Sequence, residues 1–343
     1  MRNSHSMTGR PGIVAHMIVG AKDEPYFRVV LESIAGVCDH AVINDNSGLP
    51  ESANARIIAQ SALARSGRLT LVRSAFRDFA TARNECIDAT PARFDNGWVL
   101  FVDADEMHGD ELTAMARLLP SLPEDVDAVD GYSRHFVGSF SWWRAMERRL
   151  CFFRFARTRR WAGAVHEQLA PIGRRIVIPG VWFHYGHVVT PYAEWAKSRL
   201  YASLGQPGFV PDDVQMMQPE PAAVWGSLLR DAISYRGPHP ALMRPTIAEL
   251  SSAWNETFRA VDAFVAGRGA GDRIRSAFRA VNYARLLAWR RAEARLAWAW
   301  VDPAQRRGPL ERSDAIAARP DGSQARPLEA PLPVVRDRAT LSS

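Results

Sequence analysis

The chain has 343 residues, of which 47% are hydrophobic and 23% charged, a balance that fits a globular protein and excludes a disordered or fibrous one. Its longest apolar runs, such as Trp98 to Val102, are far shorter than the roughly 20 residues needed to cross a bilayer, so no membrane-spanning helix is expected. The net charge is +6, yet the residues after position 267 hold 15 Arg and no Lys against 8 Asp and Glu, a net of +7, so the basicity belongs to a C-terminal extension and implies no nucleic-acid surface on the main body.

In chain order, residues 1–11 read as a loose leader, without the apolar core of a secretory signal. Ile13 to Val19 is an apolar run of strand length, and Pro25 to Val37 follows with Phe27, Val30, Leu31 and Ile34 at helical spacing. Ala41 to Ile43 predicts a second strand, Ser52 to Ala64 a helix, Leu69 to Val72 a third strand, Phe79 to Ala89 a helix and Trp98 to Val102 a fourth strand. Strands apolar throughout and joined by helices imply a parallel sheet covered on both faces, with ligands bound beyond the carboxyl ends of the strands. After Leu119 the pattern changes to strands at Val126 to Val137 and Leu150 to Phe155, a loop from Arg157 to Glu167, and a strand pair at Ile176 to Ile178 and Val181 to His184. From Pro191 the signals are mainly helical, with Ile247 to Val301 broken near Gly267 to Gly271. The proline-rich, charged segment 304–343 reads as disordered. Cys38, Cys86 and Cys151 lie far apart in apolar segments, which predicts reduced thiols in a cytoplasmic setting.

The strongest chemical signal is Asp103-Ala104-Asp105-Glu106, directly after the fourth strand. Residues i and i+2 of an extended segment point the same way, so two carboxylates at a sheet edge can converge on one hard cation. An acidic turn capping the next helix is the bland alternative.

At this point the sequence resembles a family 2 glycosyltransferase over residues 12 to 190. The resemblance rests on Lys22-Asp23-Glu24 after the first strand, Asn44-Asp45-Asn46-Ser47 after the second, and Phe79-Ala80-Thr81-Ala82-Arg83-Asn84. It continues through Asp103-Ala104-Asp105 as a DxD element, Gly163-Ala164-Val165-His166-Glu167, and Phe183-His184-Tyr185-Gly186. It implies an α/β protein of the GT-A nucleotide-diphospho-sugar transferase fold, a Rossmann-like mixed sheet with helices on both faces. A catalytic domain at 12–190 would precede a mainly helical region at 191–303. The implied activity is inverting transfer of a sugar from a nucleotide-diphosphate donor to an acceptor hydroxyl, in bacterial cell-surface glycan or glycoconjugate synthesis.

The resemblance also implies roles. Asp45 and Glu24 would bind the base or ribose, and Arg83 would offer a planar fork to phosphate or base oxygens. Asp103 would face the ribose or the metal shell. Asp105, with Asp103 and His184, would ligate Mn²⁺ or Mg²⁺ at the diphosphate. The general base would be Glu167 or its neighbour His166. Asn44 departs from the family's usual Asp. The acceptor would be a glycan, a lipid-linked molecule or a small molecule. The cluster Phe136, Phe140, Trp142, Trp143 suits either a sugar-stacking platform or a core. Trp289, Leu296, Trp298 and Trp300 alternate with Arg285, Arg290, Arg291 and Arg295, which suits peripheral contact with the inner face of a membrane or docking on the catalytic domain. Two rival readings are a non-catalytic carbohydrate-binding scaffold and a haloacid-dehalogenase-like phosphatase. The latter usually opens with its DxD, whereas a hundred residues precede it here.

Overall fold

The structure, a computed structural model, describes residues 12–109, 111–206, 221–299 and the pair 335–336. In chain order it contains β1 (Ile13–Val19), α1 (Phe27–Ala35), β2 (His40–Asp45), α2 (Ala53–Gln60), α3 (Ala62–Arg65), β3 (Leu69–Arg73), α4 (Phe79–Ala89) and β4 (Trp98–Phe101). Then come β5 (Glu106–Met107), α5 (Glu111–Leu118), β6 (Val126–Val137), β7 (Ser139–Arg154), β8 (Arg160–Ala162), β9 (Gln168–Ala170) and β10 (Arg174–His187). The helical region holds α6 (Pro191–Ser203), α7 (Pro221–Leu229), the short β11 (Ile233–Ser234), α8 (Arg244–Ala253), α9 (Asn255–Ala266) and α10 (Ala270–Ala299). A two-residue strand, β12 (Val335–Arg336), pairs antiparallel with Ile176 and Val177. The rest of the leader and of the tail expected at 304–343 lies outside the described residues.

The main sheet runs β12-β10-β6-β7-β4-β1-β2-β3. Strands β1 to β4 are mutually parallel, as apolar strands alternating with helices require, and β7 enters antiparallel between β4 and β6. The sheet is therefore mixed. Alternation along β1 sorts its side chains to two cores: Ile13, Ala15 and Met17 pack with Phe27, Val30, Leu31 and Ile34 of α1, whereas Val14 packs with Ala80, Cys86 and Ile87 of α4. Helices thus cover both faces, and all three cysteines are buried and free. A third apolar cluster joins α7 and α9 to Val137 and Val189 at the end of the sheet.

Three local expectations change. The helix expected over Ser52 to Ala64 is two, because Ser61 takes an extended conformation (φ −68°, ψ 153°) and its hydroxyl caps the next turn at the Ala64 amide. The strand pair near 176–184 is one strand with a register shift between Val177 and Val181, where Pro179-Gly180 interrupts the ladder without ending it. Strand β7 begins at Ser139, well before the expected Leu150. No described helix is long and apolar enough to cross a membrane.

Gly131 of β6 lies under the Trp182 ring of the neighbouring β10, where an added Cβ would fall within the indole. Gly131→Ala should therefore overpack a site that cannot yield and lower stability by about 1–3 kcal/mol. The midpoint of urea unfolding, compared with wild type at an unchanged slope, checks this.

Candidate functional site

The carboxyl ends of β1 and β4 open into a cleft of about 2040 Å³, walled also by β7, β10, the loop before β9 and α6. Glu24, Arg83, Asp103, Asp105, His166, Glu167 and His184 all line it. Asp45 does not. Its side chain is buried, with Oδ1 accepting from the Ser47 amide at 3.0 Å, and Asn46 occupies the cleft wall instead. The Asn44 side chain is a strut: it donates to Ala82 O at 3.0 Å and to Glu85 Oε2 at 2.6 Å, tying β2 to α4.

Arg83 organises the cleft. Helix α4 starts at Asp78, whose carboxylate caps the Thr81 amide, and the first turns carry Arg83 inward over the Phe101 ring, 4.3 Å from its centroid. The Trp161 ring stacks on Phe101 at 4.7 Å. In this slot the guanidinium donates through Nη2 to Asp103 Oδ1 at 2.8 Å and through Nε to Glu167 Oε1. Two of the donors expected to reach donor phosphate or base oxygens are thus committed to protein carboxylates. The second Asp103 oxygen accepts from Arg149 of β7 at 2.6 Å, and Arg149 also pairs with Glu106 Oε2 at 2.9 Å. Burial pushes the Asp103 carboxyl up, but Arg149 and Arg83 more than offset this and hold it well below the usual carboxylate range. Burial pushes Glu106 up to about 8 against the opposing pull of Arg149. Next to Arg83, the Asn84 amide grips both the N–H and the C=O of Trp161 at 2.9 Å, fixing the strand that leads to His166 and Glu167. His166 is exposed and takes a left-handed backbone (φ 56°), while Glu167 turns inward to Arg83.

On the other side of the cleft, Asp105 Oδ1 lies 3.5 Å from His184 Nε2. Burial pushes the His184 imidazole well below its ordinary value, leaving it neutral, and its Nδ1 has no partner among the described residues. Gly186 passes beside this pair, and a Cβ there would meet the Asp105 carboxylate and lie 2.9 Å from His184 Nε2. The space at that point is kept by the lack of a side chain. With Asp103 turned to the arginines, no group of three His, Cys, Asp or Glu suited to a metal ion forms among the described residues. Asp105 and His184, one carboxylate and one neutral imidazole, are the groups at this point that could hold a cation. Mg²⁺ is commonly held by one or two carboxylates together with substrate phosphates, and Asp105 could serve as such a carboxylate.

Lys197 of α6 was not expected here. Its Nζ donates to Gly186 O at 3.3 Å, and although burial opposes its charge, Tyr201, Asp105, Glu194 and Glu24 hold its pKa above the ordinary lysine value. Lys22 pairs with Glu24 at 3.6 Å. The only two lysines of the chain therefore sit in one cleft. Glu24 Oε1 is buried without a partner among the described residues, and burial pushes its carboxyl up to about 7. The aromatic cluster is core: Phe136, Phe140 and Trp143 are buried, Phe136 stacks on Tyr185 at 5.1 Å, and Trp142 donates to Asp262 at 2.6 Å outside the cleft.

Residues 18–178, just under half of the chain, match the family model Glycosyl transferase family 2, the family that the strand-end sequences resemble. No curated protein matches the chain. Solved structures overlap it loosely. A mannosyltransferase from Pyrobaculum calidifontis in complex with GDP-Man and Mn²⁺ is 15% identical over 82% of this chain and 84% of that one, with a TM-score of 0.33. S. aureus TarS (residues 1–349) is 13% identical over 74% and 83%, with a TM-score of 0.30. A mycobacterial protein is 17% identical over 39% of this chain, with a TM-score of 0.27, and the matched part spans about half (47%) of that protein's length.

Two predictions follow from the buried charges. Arg83→Met should leave Asp103 and Glu167 short of their shared cation and cost about 3–5 kcal/mol in chemical denaturation. Glu24 has a folded pKa raised above its unfolded value, so the folded state binds the extra proton and stability falls as pH rises from about 4.5 towards 7. Glu24→Gln should abolish that fall, matching wild type at acidic pH and exceeding it above pH 7 (about one unit beyond, to be clear of the transition) in urea midpoints measured across the range.

Proposed function

We propose that this domain transfers a sugar from a nucleotide-diphosphate donor to an acceptor hydroxyl with inversion at the anomeric carbon. The reading starts from the family 2 match at residues 18–178. The observation that carries it further is the Arg83 bridge, which holds the strand-end carboxylate Asp103 and the inward-facing Glu167 in one fixed relation across the cleft. A displacement at a sugar carbon needs positive charge beside the departing diphosphate and a separate base for the incoming hydroxyl on the opposite side, and the bridge fixes Glu167 for the second of these.

Glu167 is the base in this scheme. Oε1 is occupied by Arg83, which fixes the carboxylate, and Oε2 remains to accept the acceptor's proton. His166 flanks it at the surface and meets the acceptor rather than the proton. Asp105 and His184 would hold the divalent ion, which when bound offsets the charge of the departing diphosphate as a Lewis acid. Lys197, beside Asp105, adds positive charge from the chain itself. Asn46 and Glu24 line the donor end. The acceptor is a glycan, a lipid-linked molecule or a small molecule, and a role in bacterial surface glycans follows from the family resemblance.

The test is titration calorimetry with a panel of nucleotide sugars, with and without Mn²⁺, followed by turnover with the donor that binds. Wild type should select one donor in a metal-dependent way, and Asp105→Asn should remove the metal dependence. Glu167→Gln should keep donor affinity while turnover falls by about two to four orders of magnitude. Donor binding indifferent to Mn²⁺ in wild type would sink the metal pair, and near wild-type turnover in Glu167→Gln would remove Glu167 as the base.

A further inference from the structure

Helix α10 has two faces, and among the described residues only one packs on the fold. On the inner face, Ala280, Tyr283, Leu286 and Leu287 pack on the main core, Tyr283 lies 5.2 Å from the Trp143 ring, and Arg290 donates to the Tyr132 hydroxyl at 2.9 Å. On the outer face, Ile274, Phe278, Val281 and Trp289 are 69%, 67%, 53% and 68% exposed. With Arg285, their positions step by 4, 3, 4 and 4 residues, which is one stripe along the helix about 22 Å long. Four large apolar side chains exposed in line on one element are not scattered surface hydrophobics.

The charges beside the stripe are mainly positive, with Asp272 and Asp231 pairing to Arg275 at its N-terminal end. Arg273, Arg275, Arg285 and Arg291 are exposed along it, and the sequence from 273 to 292 contains no Asp or Glu. We propose that this outer face of α10 lies flat on an anionic phospholipid surface. Its apolar stripe would enter the boundary between headgroups and acyl chains, with the arginines at the lipid phosphates. The alternatives fit the charges poorly. A second copy of the same face would set arginine against arginine. The chain's own segment 300–343 carries 7 Arg against 6 Asp and Glu, and so offers no negative complement. The stripe differs from the one expected from the sequence: of the latter only Trp289 belongs to it, and the side chains of Leu296, Trp298 and Trp300 lie outside the described residues. The inference does not depend on the transfer reaction.

The test is flotation of the full-length protein with vesicles of phosphatidylcholine, alone or with phosphatidylglycerol added. Wild type should float with the anionic vesicles, poorly with the neutral ones, and less as salt rises. Phe278→Ser/Trp289→Ser, at exposed positions that leave the circular dichroism unchanged, should lower the vesicle-bound fraction by about tenfold or more, since two large side chains lose their burial. Arg285→Gln/Arg291→Gln should erase the preference for anionic lipid. Brominated acyl chains should quench tryptophan emission in wild type, and most of that quenching should vanish in Trp289→Phe. Wild type that stays at the bottom of the gradient, or a Phe278→Ser/Trp289→Ser variant that floats like wild type, overturns the proposal. A concentration-dependent dimer that the same variant dissolves overturns it too, in favour of a second copy.

Discussion

A guanidinium buried against aromatic rings has to find carboxylates, and most of the cleft follows from where Arg83 finds them. The Arg83 side chain is 7% exposed, with Phe101 and Trp161 both against it, 4.3 and 5.6 Å from their centroids. An uncompensated charge there would cost several kcal/mol, by the general scale for buried ions. Asp103, from the end of β4, and Glu167, from the loop after β8, supply the compensation. Each partner then imposes its own requirement. Asp103 has a second oxygen, which Arg149 satisfies, and Arg149 in turn reaches Glu106. The result is a run of alternating charges, Glu167–Arg83–Asp103–Arg149–Glu106, contributed by a helix, two strands and two connecting segments. Moving any one of them leaves its neighbours unpaired, so loops that would otherwise vary in position become parts of one rigid assembly.

The antiparallel insertion of β7 makes that assembly possible. A sheet that stayed parallel would place another helix after β4, with its own loop above the strand ends. Here β7 pairs with β4 over Trp98–Leu100 and continues beyond it, carrying Arg144, Glu147, Arg148 and Arg149 along the cleft wall. The same strand serves a fully buried carboxylate, Asp130 of β6, which accepts from Arg148 at 2.6 Å and from Arg175 of β10 at 2.6 Å. Two aspartates are thus each held by two arginines: the partly exposed Asp103 ties α4 and β7 to the end of β4, and the buried Asp130 ties β6, β7 and β10 together.

The parts legible in the sequence were those set by neighbours in the chain. β1, α4 and β6 have the bounds expected from their patterns, since apolar runs and a capping Asp78 at the start of α4 are local signals. The strand-end carboxylates were legible for the same reason: the strand that delivers them is adjacent. The stretch of β7 before Leu150 was not, because Arg144, Glu147, Arg148 and Arg149 line the cleft and break the apolar alternation that marks a half-buried strand. Pro179-Gly180 reads as a turn in sequence, but neighbouring strands on the sheet hold it as a bulge. Arg149 and Lys197 carry no local mark at all. Their positions depend on pairings 46 residues away at Asp103 and 11 residues away at Gly186, and only the folded sheet brings these together. Asp45 illustrates the opposite error, in which a plausible residue lies one position out of phase with the cleft and Asn46 takes its place.

The contrast between the two kinds of cation in this chain has a physical basis. Among 43 basic residues only Lys22 and Lys197 are lysine, and both face the cleft, while the carboxylates Asp103 and Asp130 are met by arginine. Arginine's planar fork can serve two acceptors at fixed angles, which is what a closed network needs, and once its donors are placed it has little left to offer a ligand. An ammonium is a compact charge on a flexible stem, with three donors that can turn to whatever arrives. Arg83 and Arg149 each bridge two carboxylates of the frame. Lys197 reaches the Gly186 carbonyl at 3.3 Å and lines the cleft, as do Lys22, Arg28 and Arg144. The frame is thus built from the cation that fixes geometry, and the two lysines add to the cleft the cation that adapts to what arrives.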